Sequence, residues 1–441
     1  MSAFTHGSRG SPADLQGFLE GYGTHLHVHL ELALTFRAQA TEAEPPRYNI
    51  PVRILISAGE ASGEMYGAQL IEAIRHHATT LEFFGVGGER MRAAGCDTVI
   101  DAKDLAVVGI TEILSHLPKI YSLFHRLIEE ADRRRPDIAV FIDSPAFNWR
   151  VARQMKKRGI PVVYFVAPQF WAWRQGRVKL IRKYVYKALV IFPFEEQFYR
   201  DRGVDATFVG HPLAELLIPS VTHPDYATRY NLDPDKPWIT LMPGSRRKEV
   251  GMILPTILES AARLGPEFEY LLPVAPTLDR NLLKAALGDS RIALVDESLP
   301  ALHHSRAAIV ASGTATVEAA MMSTPFVMVY RVTPLTYALG KPRIKVPYFA
   351  MVNLIAGGKI VPELVQDDFT PPNVNAELRK ILPDGAARAA MLKGFDRAKS
   401  LLRSPDPHDT RSAAERAAAI ILEMLHLPTA ARAEGKQPAP A

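Results

Sequence analysis

The chain reads as an α/β protein of two doubly wound halves facing each other across a cleft, and three observations predict this. Short, continuously apolar runs recur between segments with helical spacing, the pattern of parallel strands covered on both faces. Several of these runs end in a small-residue or acidic turn. The alternation is interrupted by a polar, proline-bearing stretch, Pro219–Pro237, and then restarts. At 441 residues the chain is long enough for two domains, and 47% hydrophobic with 22% charged residues supplies a sizeable core.

In the first half, Val52–Ser57 is an apolar, β-branched run. It leads into the small-residue turn Ala58–Glu64, and Met65–His76 then shows helical spacing. Further strands are predicted at Phe83–Val86, Ile138–Ile142, Val162–Val166, Ala188–Phe192 and Phe208–Val209. After the candidate linker, strands are predicted at Trp238–Met242, Tyr270–Val274, Ile292–Val295, Ala307–Val310 and Phe326–Val329. An alanine-rich helix, Ala413–Leu425, closes the fold. This gives domains at 50–222 and 223–400, closing helices at 401–427, and poorly ordered segments at 1–49 and 428–441. Pro118 is expected to restart a helix rather than sit within one.

A net charge of +5 does not imply nucleic-acid binding. No run of eighteen apolar residues is present, so no transmembrane span is predicted, and Leu26–Phe36 is too interrupted for a signal peptide. The single cysteine, Cys96, forms no internal disulfide and reads as structural, which fits a reducing cytosol. His25, His27 and His29 lack the spacing of helical metal ligands.

Two turns point to a nucleotide-sugar site. Gly244-Ser245-Arg246 and Ser312-Gly313-Thr314 each follow an apolar run and lead into a helix, where bare backbone N–H groups suit an anion. Arg246 adds a fixed cation for a pyrophosphate. Glu318, on the first turn of the second helix, can accept from ribose hydroxyls. Asp143 ends a buried strand at the edge where open parallel sheets bind ligands. Flanked by apolar residues, it suits a general base, the alternative being a helix N-cap. Glu60 and, less so, Glu64 suit a sugar's hydroxyls, the alternative being helix-dipole stabilisation.

Three features suggest an acyl or membrane-facing surface. Trp171 and Trp173 follow a strand end, although core packing is the alternative. From Arg174 to Lys187 six basic residues occur without an acid. That run suits phosphates or lipid headgroups, or is simple surface charge. Ile110, Ile113, Leu114, Leu117, Ile120, Tyr121 and Phe124 fall at helical spacing, as either a core stripe or a membrane-facing patch.

The strings Ser57–Glu64, Gly85–Gly88, Ile142–Asn148, Trp171–Gln175, Gly210-His211-Pro212, Pro243–Arg246, Ala311–Ala315 and Asn353–Gly357 together resemble the ordered motifs of the lipid-A-disaccharide synthase family. The resemblance runs from about residue 52 to 425. It implies the GT-B fold, two Rossmann-like domains, and an inverting glycosyltransferase without a cofactor. The implied substrates are UDP-2,3-diacylglucosamine and 2,3-diacylglucosamine 1-phosphate. The implied setting is the cytoplasmic, anionic face of the inner membrane. Asp143 and Arg246 fall on the family's essential aspartate and arginine. Asn353 falls in a segment that can complete a partner's site in a swapped homodimer. Glu64 and Ala146 depart from the pattern, standing where an aspartate is common. No Asp-x-Asp string follows a strand end in the second half, so the sequence requires no metal. Rival readings are a non-hydrolysing UDP-sugar epimerase and a catalytically inactive, membrane-surface nucleotide-binding protein.

Overall fold

A computed structural model of the chain describes residues 51–426 apart from 78–79, 106–109, 174, 216–217, 405 and 407, and describes 61, 110–117 and 173 by backbone alone. The expectations for 1–49, 428–441, the three N-terminal histidines, Arg174, and the side chains of Ile113, Leu117 and Trp173 lie outside the described residues.

The first lobe is a seven-stranded sheet made of β1 (Val52–Ala58), β2 (Leu81–Gly87), β3 (Cys96–Asp101), β4 (Ile138–Ile142), β5 (Val162–Phe165), β6 (Lys187–Val190) and β7 (Ala206–Phe208). Their order is β3-β2-β1-β4-β5-β6-β7, and every pairing is parallel. The central strand shows why: all five residues of β4 are buried, so helices must cover both faces. Each large side chain so buried contributes roughly 1.5–3 kcal/mol.

The second lobe repeats the plan with β8 (Trp238–Met242), β9 (Glu269–Pro273), β10 (Ile292–Val295), β11 (Ala307–Ala311), β12 (Phe326–Tyr330) and β13 (Glu363–Val365). Their order is β10-β9-β8-β11-β12-β13, again all parallel. In each sheet the order reverses once, between β1 and β4 and between β8 and β11. Such reversals open a crevice at the carboxyl ends of the strands, where doubly wound sheets take their ligands.

The structure differs from the sequence expectations in two places. The Pro219–Pro237 stretch carries a helix, His223–Tyr230, capped by Thr222, whose hydroxyl oxygen accepts from the Asp225 N–H. Tyr226 on that helix is buried near Trp238, so the stretch is anchored to the second lobe. Pro118 lies inside one helix, Ile110–Arg134, because a proline removes only one helical N–H and the flanking turns carry the helix through. The last turns of that helix pack on the first sheet through Leu127, Ile128 and Ala131, whereas Tyr121 is exposed.

From Val52 onward the chain makes one compact unit. After the helix Ala386–Leu402 of the second lobe, the chain returns to the first, where the helix Ala413–Met424 packs on the helix Ala61–His77. The two crossovers are tied together. The His211 N–H donates to the Leu402 carbonyl at 2.8 Å, Arg416 Nε donates to the Val209 carbonyl at 2.6 Å, and the Ala413 N–H donates to Glu215.

Candidate active site

The four strands flanking the two reversals supply most of the candidate residues. β1 leads to Gly59 and Glu60, β4 to Asp143, β8 to Gly244–Arg246, and β11 to Ser312–Thr314. The turn after β4 is tight: Asp143 and Ser144 both have φ of 47°, and Pro145 then opens the helix Pro145–Lys157. Two successive left-handed residues without glycine are costly, about 1–3 kcal/mol each, and persist only where the surroundings hold them. Here the surroundings do. Asn148 Nδ2 donates to the Ile142, Asp143 and Ser57 carbonyls, and its Oδ1 accepts from the Ser57 hydroxyl at 2.7 Å. The Tyr164 hydroxyl donates to the Asp143 carbonyl at 2.6 Å. A side chain at Gly59 would collide with the Ser144 hydroxyl at 2.3 Å, so only glycine lets the β1 and β4 turns close on each other.

The Asp143 carboxyl is pushed up to about 6, first by burial and then by the nearby charge of Glu60. The Ser144 N–H and the Arg246 guanidinium pull it part of the way back. A carboxyl titrating there is ionised at neutral pH yet basic enough to take a proton.

Arg246 faces this group from the second lobe. It sits at the N-cap of the helix Arg247–Leu264, and its guanidinium lies 4.0 Å from the Glu60 carboxylate. Both side chains are open to solvent, at 75% and 49% exposure, so they are free to engage a ligand. Gly244 adopts φ of 111°, and a side chain there would overlap the Glu249 carboxylate, which accepts from the Ser245 N–H at 3.3 Å. Burial raises Glu249, so an incoming diphosphate competes for those N–H groups with a weakly held carboxylate.

The family model for lipid-A-disaccharide synthetase matches residues 54–415. The chain belongs to the lipid-A-disaccharide synthetase family. It is 54% identical over 378 residues to the lipid-A-disaccharide synthase of Koribacter versatilis, an alignment covering 85% of this chain and 98% of that protein. Solved structures share the fold at low identity. The calicheamicin glycosyltransferase CalG4 superposes with a TM-score of 0.55 at 16% identity, over 85% of this chain and 98% of that one. The UDP-GlcNAc 2-epimerase of Neisseria meningitidis, bound to UDP-GlcNAc, gives 0.54 at 13%, over 85% and 99%. The fold is therefore GT-B, which glycosyltransferases and epimerases share.

Several residues singled out in this lipid-A-disaccharide synthetase family sequence have other duties. Trp171 is buried, and its indole N–H donates at 2.7 Å to the fully buried Glu195. It is a core anchor, not an acyl-facing aromatic. Asn353 is also fully buried. Its amide donates to the Val361 carbonyl and to Glu363, and its oxygen accepts from the Ile360 and Val361 N–H groups. With every hydrogen-bonding position met from within its own lobe, it braces the Met351–Ala356 helix. Glu64 accepts from the Arg90 N–H at 2.8 Å, which caps the neighbouring helix Glu89–Ala93. The Ser312 hydroxyl donates to the Phe349 carbonyl, leaving the exposed Thr314 as the open hydroxyl of that turn. Glu318 is raised by burial and lowered by a Ser298 hydrogen bond.

Tyr66 and His211 sit between the lobes, and the sequence reading passed over both as site residues. Tyr66 is buried on the helix Ala61–His77, and its phenol is raised by burial and then by the charges of Glu318 and Asp143. His211 lies edge-on to it at 6.4 Å between ring centroids. Burial holds His211 down at about 3; its Nδ1 accepts from the Leu213 N–H, and Nε2 has no partner among the described residues.

Proposed function

We propose that this chain transfers 2,3-diacylglucosamine from UDP-2,3-diacylglucosamine to 2,3-diacylglucosamine 1-phosphate, releasing UDP and forming the β-1′,6-linked disaccharide 1-phosphate. The observation that carries this reading is the pairing of Asp143, a half-buried carboxyl of raised proton affinity at one strand reversal, with Arg246 at the other, in a member of this hexosyltransferase family.

The chemistry follows from the charges. The acceptor hydroxyl oxygen attacks the donor's anomeric carbon from the face opposite UDP. The new C–O bond forms as the anomeric C–O bond to the diphosphate breaks, which inverts the centre. The hydroxyl proton passes to the Asp143 carboxylate. UDP leaves with the bonding electrons, and Arg246 with the Gly244–Arg246 backbone N–H groups balances the charge developing on it. Glu60, Thr314 and Glu318 would hold sugar and ribose hydroxyls.

Both substrates carry acyl chains, so the reaction takes place at a bilayer surface. No helix of the described residues is long and apolar enough to cross a membrane. The exposed cations Arg177, Lys179, Arg182 and Lys183 suit peripheral contact with anionic headgroups.

A coupled assay tests the proposal. Purified protein with both substrates should release UDP, and the mass spectrum should show the tetraacyl disaccharide phosphate. Conversion of a UDP-sugar to its 2-epimer, with no UDP released, would refute it in favour of the epimerase reading.

A further inference from the structure

Resting on the bilayer-surface reading above, we infer that the second lobe carries its own contact for an anionic bilayer, formed by Leu335 and Leu339 together with Lys341, Arg343 and Lys345. The helix Pro334–Gly340 buries none of its residues. Leu335 and Leu339, one helical turn apart and so on one face, are 71% and 57% exposed. Leaving two leucines in water forfeits the apolar stabilisation that each gains on burial.

The chain that follows is basic. Lys341, Arg343 and Lys345 are all exposed, and none of them makes an ion pair among the described residues. Lys341 Nζ lies 5.5 Å from the centre of the Tyr337 ring, and the Arg343 guanidinium donates to the Leu339 carbonyl at the helix end. From residue 319 to 362 there is no Asp or Glu, while Arg331, Lys341, Arg343, Lys345 and Lys359 supply five positive charges. Solvated faces ordinarily mix signs, so this segment is complementary to an anionic surface.

The patch also continues the first lobe's basic surface. The Lys345 N–H donates to the Ala172 carbonyl at 2.8 Å, joining the segment to Phe170–Trp173 just before the run that carries Arg177, Lys179, Arg182 and Lys183. Tyr186 in that run is 66% exposed. Cations from both lobes therefore adjoin at one hydrogen bond. The occupant is a bilayer rather than a protein. A stable protein interface buries about 800 Å² per partner, more than two leucines on a seven-residue helix provide, whereas apolar side chains flanked by cations match the boundary between headgroup and acyl chain.

Vesicle sedimentation of the full chain tests this, with phosphatidylglycerol–phosphatidylcholine vesicles compared with phosphatidylcholine alone, at low and high salt. Lys341→Gln/Arg343→Gln should weaken binding to the anionic vesicles about 30-fold at low salt, since each cation near an anionic surface contributes about 1 kcal/mol. Leu335→Ser/Leu339→Ser should remove most of the binding that survives high salt. Both variants should keep the wild-type thermal midpoint and turnover on detergent-dispersed substrates. Wild-type protein that ignores anionic vesicles would overturn the bilayer reading as a whole. Variants that bind vesicles as the wild type does would overturn this inference alone. A fall in mass by light scattering in the leucine variant, without vesicles, would assign the patch to a second copy of the chain and refute the bilayer contact.

Discussion

Replacing Asp143 by asparagine should make the protein more stable and less active at the same time, and the raised proton affinity of its carboxyl gives the direction and pH window of the first effect. The carboxyl lies near 3.8 when exposed and near 6 in the folded chain. That difference of about 2.2 corresponds to about 3 kcal/mol at 1.36 kcal/mol for each pH unit. The folded state holds the proton more tightly than the unfolded one. Its advantage is therefore complete below the unfolded value and is lost as pH rises from about 4 to about 6. Above that window the ionised carboxylate costs the fold about 3 kcal/mol. Asparagine never ionises, so Asp143→Asn should differ little from wild type near pH 3.5 and be more stable by up to about 3 kcal/mol near pH 8. The same change removes the proton acceptor and should lower turnover by roughly 10²–10⁴. Urea unfolding across the pH range, beside a UDP-release assay, measures both. A variant no more stable than wild type near pH 8 would refute the buried-charge argument, and one with wild-type turnover would refute the base.

Other changes follow from the same charges. Glu60→Gln removes the charge that helps raise Asp143, so the acid limb of kcat/KM, expected near pH 6 in the wild type, should move to lower pH. Arg246→Ala removes a cation that holds Asp143 down, so the limb should move up. Calorimetry should also show UDP bound more weakly by about 1.5–3 kcal/mol. Trp171→Phe leaves the buried Glu195 without its indole donor and should cost about 1–3 kcal/mol. Because Glu195 titrates near 7, the loss should be larger above that pH than below it. His211 is held at about 3, below its unfolded 6.5, so its folded form refuses a proton. Stability should fall by about 1.4 kcal/mol per unit as pH drops below 6.5. His211→Asn keeps an acceptor for the Leu213 N–H and should flatten that slope in urea midpoints.

The central strands of both sheets were legible because burial on both faces leaves an unbroken apolar run. The edge strands β3 and β13 were not. β3 mixes Asp97, Thr98 and Asp101 with its apolar residues, and β13 has only three residues. The helix His223–Tyr230 has a threonine cap and a proline in its first turn, but prolines in a polar stretch read first as a break. The placement of Asp143 and Arg246 beyond the carboxyl ends of β4 and β8 was legible because both follow apolar runs. For Trp171 and Asn353 a motif gives a residue's type and not its depth, and both spend their polar groups inside the fold. Tyr66 gave no signal of its own, and His211 stood only as part of the Gly210-His211-Pro212 motif. Each acquires its environment only when the lobes meet, through contacts distant in sequence.

The paired crossovers set what the cleft is able to do. A single connecting strand would let one lobe swing and twist freely relative to the other. Here two segments pass side by side and are laced through His211–Leu402, Arg416–Val209 and Ala413–Glu215. Twisting one lobe about the long axis would shear all three bonds together, whereas bending about the line through both crossovers strains them least. The three bonds thus favour bending over twisting as the motion that would bring Asp143 and Arg246 together or apart.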